Sequence, residues 1–516
     1  MIGTPDERYL ESYIEQYLTS QPITTISGDR LQRMEYHSVP PSEYDKELCI
    51  IPNELIAFLK ETQEKEYQAM VARAGSEAEA RASIFSRLKS ELNYGTLHVL
   101  RRDNNHVFRA GYGATFKLVY FRPASGMNEE HERLYNLNRL AIVRQLHYSK
   151  NKKRAGDSID TVLFVNGLPV FTIELKNTLT GQTHINAIQQ YMRDRTVAGE
   201  PLLEFKRCLA HFAVGTEQVF VTTRLNGERT RFLPFNDGFE NENIKQRGEF
   251  DGYLVSYLWE DVLRRDALLD LIDNYIFVRE ESETVYDPEM RGLKEVSHEQ
   301  LLFPRFHQRR AVERLVADVR ERGAGHRYLI QHSAGSGKSN TIAWLTFKLA
   351  YLYPRPEDTQ PLFDSVIVVT DRRALDRQTQ RLFKQFEQVE GEVSMVAERQ
   401  DSQKLKGYIE NSSRIIVTTL QKFSYIADEM EVFDNRRYAV IIDEAHSSQT
   451  GEAARDMRKA LSLNDAEAFD RELEKKGDGE DYIDAYVERE MQRRGQKPHI
   501  SFFAFTATPK PKTIGL

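Results

Sequence analysis

The sequence predicts an α/β protein in two parts: a mixed-sheet domain, then a parallel-sheet domain built around a phosphate loop. Three observations carry that expectation. Short β-rich runs between residues 116 and 225 enclose an Asp followed by a Glu-x-Lys, in SIDTVLFVNGLPVFTIELKN. Beyond residue 306, near-continuous apolar runs alternate with helical segments, the pattern of a parallel sheet covered on both faces. Within that second pattern stand HSAGSGKS and, further on, YAVIIDEAH.

A chain of 516 residues has room for about three or four domains. Its 40% hydrophobic and 29% charged residues are those of an ordinary globular protein. No stretch approaches the roughly 20 apolar residues that cross a bilayer, so no membrane association is expected. The N-terminus, MIGTPDERYLESYIEQYL, is polar and acidic and lacks the pattern of a secretory signal. Cys49 and Cys208 are far apart with no second ligand nearby, which suggests neither a disulfide framework nor a zinc site. A cytoplasmic protein is the simplest expectation. The net charge of −7 argues against a general nucleic-acid coat protein, but the local field decides DNA binding. Lys150, Lys152, Lys153 and Arg154 form one basic cluster, and Arg372, Arg373 and Arg377 another; either is a solvated face or a phosphate contact.

In chain order, residues 5–20 read as a helix and 55–93 as a long charged helical stretch. FKLVYF, DTVLFV, PVFTIEL and QVFVTT read as strands, with a helix over 184–195 and another over 258–278. The acidic stretch at 279–292 reads as a boundary. In the second part YLIQH, SVIVVT, RIIVTT, YAVIID and SFFAFTAT read as strands. The helices between them are expected at 306–320, 338–353, 373–387 and 451–462, with a charged insert over 463–498.

A metal-dependent nuclease needs two acidic side chains to grip a hard cation and a lysine to orient or activate the attacking water. Glu174 and Lys176 lie two apart on an expected strand and so share a face. Asp160 begins the preceding strand, with Asn166-Gly167 at the turn. A two-residue turn in an unbroken ladder pairs 160 with 173 and points Asp160 away from Glu174. A three-residue turn, or a bend freeing Asp160 from the ladder, brings the two carboxylates together, and this is the expectation. On spacing alone, the pattern more often describes a strand-start Asp160 and a solvated Glu174–Lys176 salt bridge on an edge strand.

HSAGSGKSNT follows an expected strand and opens a helix, so its backbone N–H groups can approach phosphates. Gly335, Ser336 and Gly337 form the loop, Lys338 reaches the phosphates, and Ser339 ligates magnesium. His332 stands where the first glycine of the full pattern would be. In YAVIIDEAH, Asp443 can hold the magnesium of ATP and Glu444 can position water.

With these residues in place, the second half resembles the first RecA-like lobe of a superfamily 2 helicase or translocase. FPRFHQRRAV, through Phe306 to Gln308, resembles its adenine-reading motif. VIVVTDRRALDRQ and RIIVTTLQKF resemble its strand-contacting motifs, and FTATP, with Thr506 and Thr508, its coupling motif. Taken with NLNRLAIVRQLHYS and LFVNGLPVFTIELKN, the chain resembles the restriction (R) subunit of type I restriction–modification enzymes. The resemblance implies a restriction-endonuclease-like PD-(D/E)xK domain at 1–260, with Asp160, Glu174 and Lys176 catalytic and the first two binding metal. A helical segment and linker at 261–297 and a RecA-like DEAH-type lobe at 298–516 would follow. It further implies ATP, Mg²⁺, double-stranded DNA, and methyltransferase and specificity subunits as partners. S-adenosylmethionine is implied for that partner complex, not for this chain.

Two departures stand out. The family's Gln-x-x-x-Tyr helix has Ala187 in place of Gln, so its role passes to Tyr191 alone. The sequence also ends soon after FTATP, before the second lobe and its arginine finger. The competing readings are a stand-alone helicase–nuclease and a product that only docks on DNA or partners. Because an arginine finger contributes about 10³–10⁵ in rate, the isolated chain is expected to hydrolyse ATP poorly and not to translocate. Robust DNA-stimulated ATPase of the purified chain would contradict that.

Overall fold

A computed structural model describes the chain apart from residues 1–6, 102–106, 178–180, 238–252, 288–291, 334, 371–381, 385, 388–390, 397–401, 420–422, 424–435, 444–498 and 507–516. The chain divides into two compact units, Met1–His307 and Gln308–Leu516. Among the described residues, no helix is long and apolar enough to cross a membrane.

The first unit is built on a seven-stranded mixed sheet. Its strands are β1 (Tyr36–Ser38), β2 (Leu140–His147), β3 (Ser158–Val165), β4 (Leu168–Leu175), β5 (Ala210–Val214), β6 (Val219–Thr222) and β7 (Leu233–Pro234). They lie side by side in chain order, parallel at β1/β2 and β4/β5 and antiparallel elsewhere. Every residue of β4 is buried, as its central place requires. α1 (Glu7–Thr19) leads into this unit.

The charged stretch at 55–93 is three helices rather than one: α2 (Pro52–Thr62), α3 (Glu64–Ala74) and α4 (Glu77–Glu91). The second break has a local cause. Gly75 adopts φ 87° and stops α3, and the Ser76 side chain caps α4 by accepting from the backbone N–H of Glu79. FKLVYF is a strand only as far as Phe116. Side chains take the next amides instead: Lys117 N–H donates to Gln63 Oε1 and Tyr120 N–H to Asn138 Oδ1. The helix expected at 258–278 is a run of short π- and α-helical turns through Tyr275, of which α5 (Arg265–Asp270) is the α-helical one. It is tied to the first unit by Tyr36, whose hydroxyl donates to the Leu263 carbonyl, and by the Arg264–Glu35 pair. The described part of the 279–292 stretch is paired backbone: β8 (Phe277–Asp287) and β9 (Gly292–Leu302) form an antiparallel ribbon.

The second unit starts within α6 (Phe306–Arg322). Its six-stranded sheet runs β10 (Arg327–Gln331), β15 (Ile500–Thr506), β14 (Tyr438–Ile442), β11 (Ser365–Thr370), β13 (Ile415–Thr419), β12 (Val393–Met395). All its pairs are parallel. The five apolar runs expected as strands are strands here, and the short edge strand β12 is an addition. α7 (Lys338–Ala350) and α8 (Ser402–Glu410) are present. The helix expected at 451–462, most of that at 373–387, and the insert at 463–498 lie outside the described residues, as do Arg372, Arg373 and Arg377.

The β3–β4 connection corrects one expectation. It is a two-residue turn: Val165 pairs with Leu168, and Asn166 and Gly167 take φ 50° and 82°. Positive φ at both positions matches the twist of the flanking strands, which is why Asn-Gly prefers this turn. Asn166 is locked by its side chain, which accepts from Arg139 N–H and donates to the Leu118 carbonyl and to Asn138. Gly167 lies against the start of α2, where an added Cβ would meet the Ile51 carbonyl oxygen at 2.5 Å. Gly167→Ala is therefore expected to destabilise the chain by about 1–3 kcal/mol, read from urea denaturation of the full-length protein.

Candidate functional sites

A two-residue turn in an unbroken ladder would have separated the two carboxylates. The ladder is broken instead. Phe164 pairs with Pro169 but Leu163 with Phe171, so Val170 is an extra residue on β4. Its carbonyl accepts from Leu209 N–H at 2.8 Å. The bulge shifts the register by one, and the last pair, Thr161 with Ile173, puts Asp160 opposite Glu174. The expected convergence holds, but through a bulge rather than a longer turn.

Asp160 and Glu174 are buried, Glu174 completely. β4 is flanked by β3 and β5, which rules out a solvated salt bridge on an edge strand. Asp160 Oδ2 accepts from Leu175 N–H at 2.8 Å. Glu174 Oε1 accepts from Arg195 Nε at 2.8 Å, while its Oε2 is buried and accepts no hydrogen bond. Burial, then the neighbouring Asp160 carboxylate, push the Glu174 carboxyl far above the usual range, against the pull of Arg195. Lys176 follows directly after β4, its backbone N–H donating to the Val214 carbonyl, with its side chain largely buried. Tyr191 lies on the same side, its hydroxyl 2.8 Å from Thr172 Oγ1, which also contacts His211 Nδ1 at 2.7 Å. Burial lowers the His211 imidazole to about 3, so it is neutral.

Three residues here were not singled out by sequence reasoning: Arg195, Gln145 and Glu11. Glu11, on α1, is buried, pairs with Arg144 at 3.4 Å and accepts from Gln145 at 2.8 Å. Burial and the Asp160 charge raise its carboxyl to about 7. No spacing signal connects residue 11 to residue 160; only the packing of α1 against the sheet does. The fit to a divalent cation rests on the apposed Asp160 and Glu174 carboxylates and the orphaned Glu174 Oε2. Among the described residues no group of three or more His, Cys, Asp or Glu side chains is arranged to hold a metal. A pair suits magnesium, which commonly takes one or two carboxylates and completes its shell with water and phosphate oxygens. Of the basic cluster, Lys152 and Lys153 are exposed on the turn before β3, whereas Lys150 pairs with Glu47 and Arg154 with Asp157.

In the second unit the phosphate loop joins β10 to α7. Gly335 and Gly337 adopt φ 75° and 86°, and Gly337 caps the helix. Gln308 Nε2 donates to the Gly337 carbonyl at 2.9 Å, and a Cβ on Gly337 would sit 2.4 Å from that nitrogen. Lys338 Nζ lies 3.1 Å from Asp443 Oδ1, bringing together the two charged residues expected to handle phosphate and its metal. Ser339 occupies the first turn of α7. His332, the departure from the full glycine pattern, has a structural place: its N–H donates to the Thr506 carbonyl at 2.8 Å and its Nδ1 is 3.1 Å from Ser336 Oγ. Glu444 and Thr508 lie outside the described residues.

Fold and sites together define a class: a mixed-sheet domain carrying a buried carboxylate pair, and a RecA-like lobe carrying a phosphate loop. Residues 52–239 match the family model described as the type I restriction enzyme R protein N terminus, and residues 307–469 the SWI2/SNF2 ATPase model. The chain is 28% identical to the type I restriction enzyme SsaAORF53P endonuclease subunit of Staphylococcus saprophyticus, over 64% of this chain and 32% of that protein. It is 27% identical to the HindI endonuclease subunit of Haemophilus influenzae, over 61% of this chain and 28% of that protein. These findings bear out the resemblance to R subunits. The matches span about a third of the relatives' length.

The raised Glu11 carboxyl sets a pH dependence. Its proton is held more tightly in the folded chain (about 7) than by an ordinary glutamate (4.5), so ionising Glu11 opposes folding. That cost is absent below about 4.5, grows as pH rises and is complete above about 7. Glu11→Gln is expected to stabilise the metal-free chain relative to wild type by about 1–3 kcal/mol at pH 8, with the difference shrinking towards pH 5. Denaturation of both proteins across that range is the check.

Proposed function

We propose that this chain is the cleaving and motor subunit of an ATP-dependent type I restriction endonuclease, which moves duplex DNA and hydrolyses its phosphodiester bonds. The observation that carries the reading is the Asp160–Glu174 pair, with one carboxylate oxygen left without a hydrogen bond, on a chain that also holds a phosphate loop. Cleavage chemistry is assigned within residues 1–260 and nucleotide handling within 298–516, with 261–297 joining them.

Asp160 and Glu174 are the residues that would hold Mg²⁺, which when bound polarises a phosphodiester and acidifies an attacking water. Lys176 then orients that water or steadies the developing negative charge. Arg195, bonded to Glu174 and to the Ser158 carbonyl, fixes the carboxylate's rotamer. Lys152 and Lys153 would meet the DNA backbone, an interaction that weakens with salt.

In the second unit, the backbone of Gly335, Ser336 and Gly337 would receive the phosphates of ATP at the start of α7. Lys338 would exchange its contact with Asp443 for phosphate oxygens. Ser339 and Asp443 would hold the accompanying magnesium, Gln308 would read the base, and Glu444 would position water. Duplex DNA and the methyltransferase and specificity subunits are the partners this reading calls for.

In the assembled enzyme, Glu174→Ala is expected to reduce DNA cleavage at least about 10²-fold while ATP hydrolysis persists. Lys338→Ala should remove ATP hydrolysis and, with it, the cleavage that depends on movement. Undiminished cutting by the Glu174 variant, or failure of the chain to co-purify with the two partner subunits, would count against the respective part of the proposal.

A further inference from the structure

Six described residues other than glycine have positive φ, and Gln145, at 48°, is the one that lies inside a strand. The other five are in turns. The register of β2 with β3 passes from Arg144–Thr161 to Leu146–Ile159, omitting Gln145 and the Asp160 opposite it. A left-handed residue within a sheet is strained and persists where the surroundings impose it.

The side chain shows what is gained. Its Nε2 donates to Glu11 Oε1 at 2.8 Å and to Asp160 Oδ1 at 3.2 Å, and its Oε1 accepts from Ser158 Oγ at 2.9 Å. One amide therefore bridges two buried carboxylates on separate elements. An arginine or lysine there would neutralise them. A neutral amide instead holds like charges in place and leaves their negative charge to attract a cation.

We propose that Gln145 is a positioning residue for the divalent cation: its strained backbone aims a neutral clamp that, braced on Glu11, holds Asp160 directly at the orientation the cation requires. This rests on the nuclease reading above.

The test uses the full chain carrying Asp443→Asn, so that the second unit's cation does not contribute, and measures Mn²⁺ binding by calorimetry alongside the metal-free thermal midpoint. Gln145→Asn keeps an amide and suits the left-handed backbone but is one methylene too short to bridge. Gln145→Met keeps the length and has no donor. Both are expected to bind Mn²⁺ about tenfold or more weakly, with the Asn variant's midpoint within a few degrees of wild type. In the assembled enzyme the Mg²⁺ concentration for half-maximal cleavage should rise by a similar factor. Wild-type Mn²⁺ affinity in the Asn variant would overturn the inference while leaving the nuclease reading standing. No Mn²⁺ binding by the unsubstituted chain would overturn both.

Discussion

Between the Asn166–Gly167 turn and the carboxylates, β4 carries one residue more than β3, and the pairing of Asp160 with Glu174 depends on that difference. Side chains alternate faces along a strand, so a shift of one residue moves a carboxylate to the opposite side of the sheet. Val170 absorbs the shift. The turn fixes where counting starts, the bulge changes its parity, and Asp160 arrives opposite Glu174. Leu209, the residue just before β5, holds the bulge in place by donating its N–H to the Val170 carbonyl.

Placing acidic groups together without water is costly, and the structure answers with donors of graded charge. Arg195 serves Glu174, Arg144 serves Glu11, and uncharged groups, the Gln145 amide and the Leu175 N–H, serve Asp160. The second unit repeats the logic at smaller scale, with Lys338 beside Asp443. In both units a carboxylate is held against a cationic side chain, a contact that a metal or phosphate could displace. Such pairs add little net stability, since desolvation offsets their attraction, but they keep ligand-handling groups at defined positions.

The sequence spoke clearly where chemistry and local geometry coincide. Asn166-Gly167 demanded positive φ, the apolar runs of the second unit read directly as buried parallel strands, and the glycines around Lys338 marked a phosphate loop. Bulges carry no such signature. Val170 is an ordinary β-branched residue, and nothing local says that it stands unpaired. The helices at 55–93 were visible as helix formers, yet Gly75-Ser76 was the stop and restart that the long reading passed over. Glu11, Gln145 and Arg195 were silent because each depends on contacts between distant segments. His332 looked like a flaw in a pattern until its bonds to Thr506 and Ser336 were seen.

The order of strands in the second unit has a consequence for how the protein is made. β10, which leads into the phosphate loop, has β15 as its neighbour, and His332 reaches the Thr506 carbonyl on that strand. During synthesis the nucleotide-holding loop emerges long before the strand that braces it, and closing so large a gap is entropically slow. Until residue 506 has left the ribosome, β10, an edge strand of the finished sheet, has neither edge paired and is exposed to mispairing with other chains. The brace on the phosphate loop is thus acquired late in biosynthesis, and a nascent chain interrupted before β15 would be a candidate for chaperone capture.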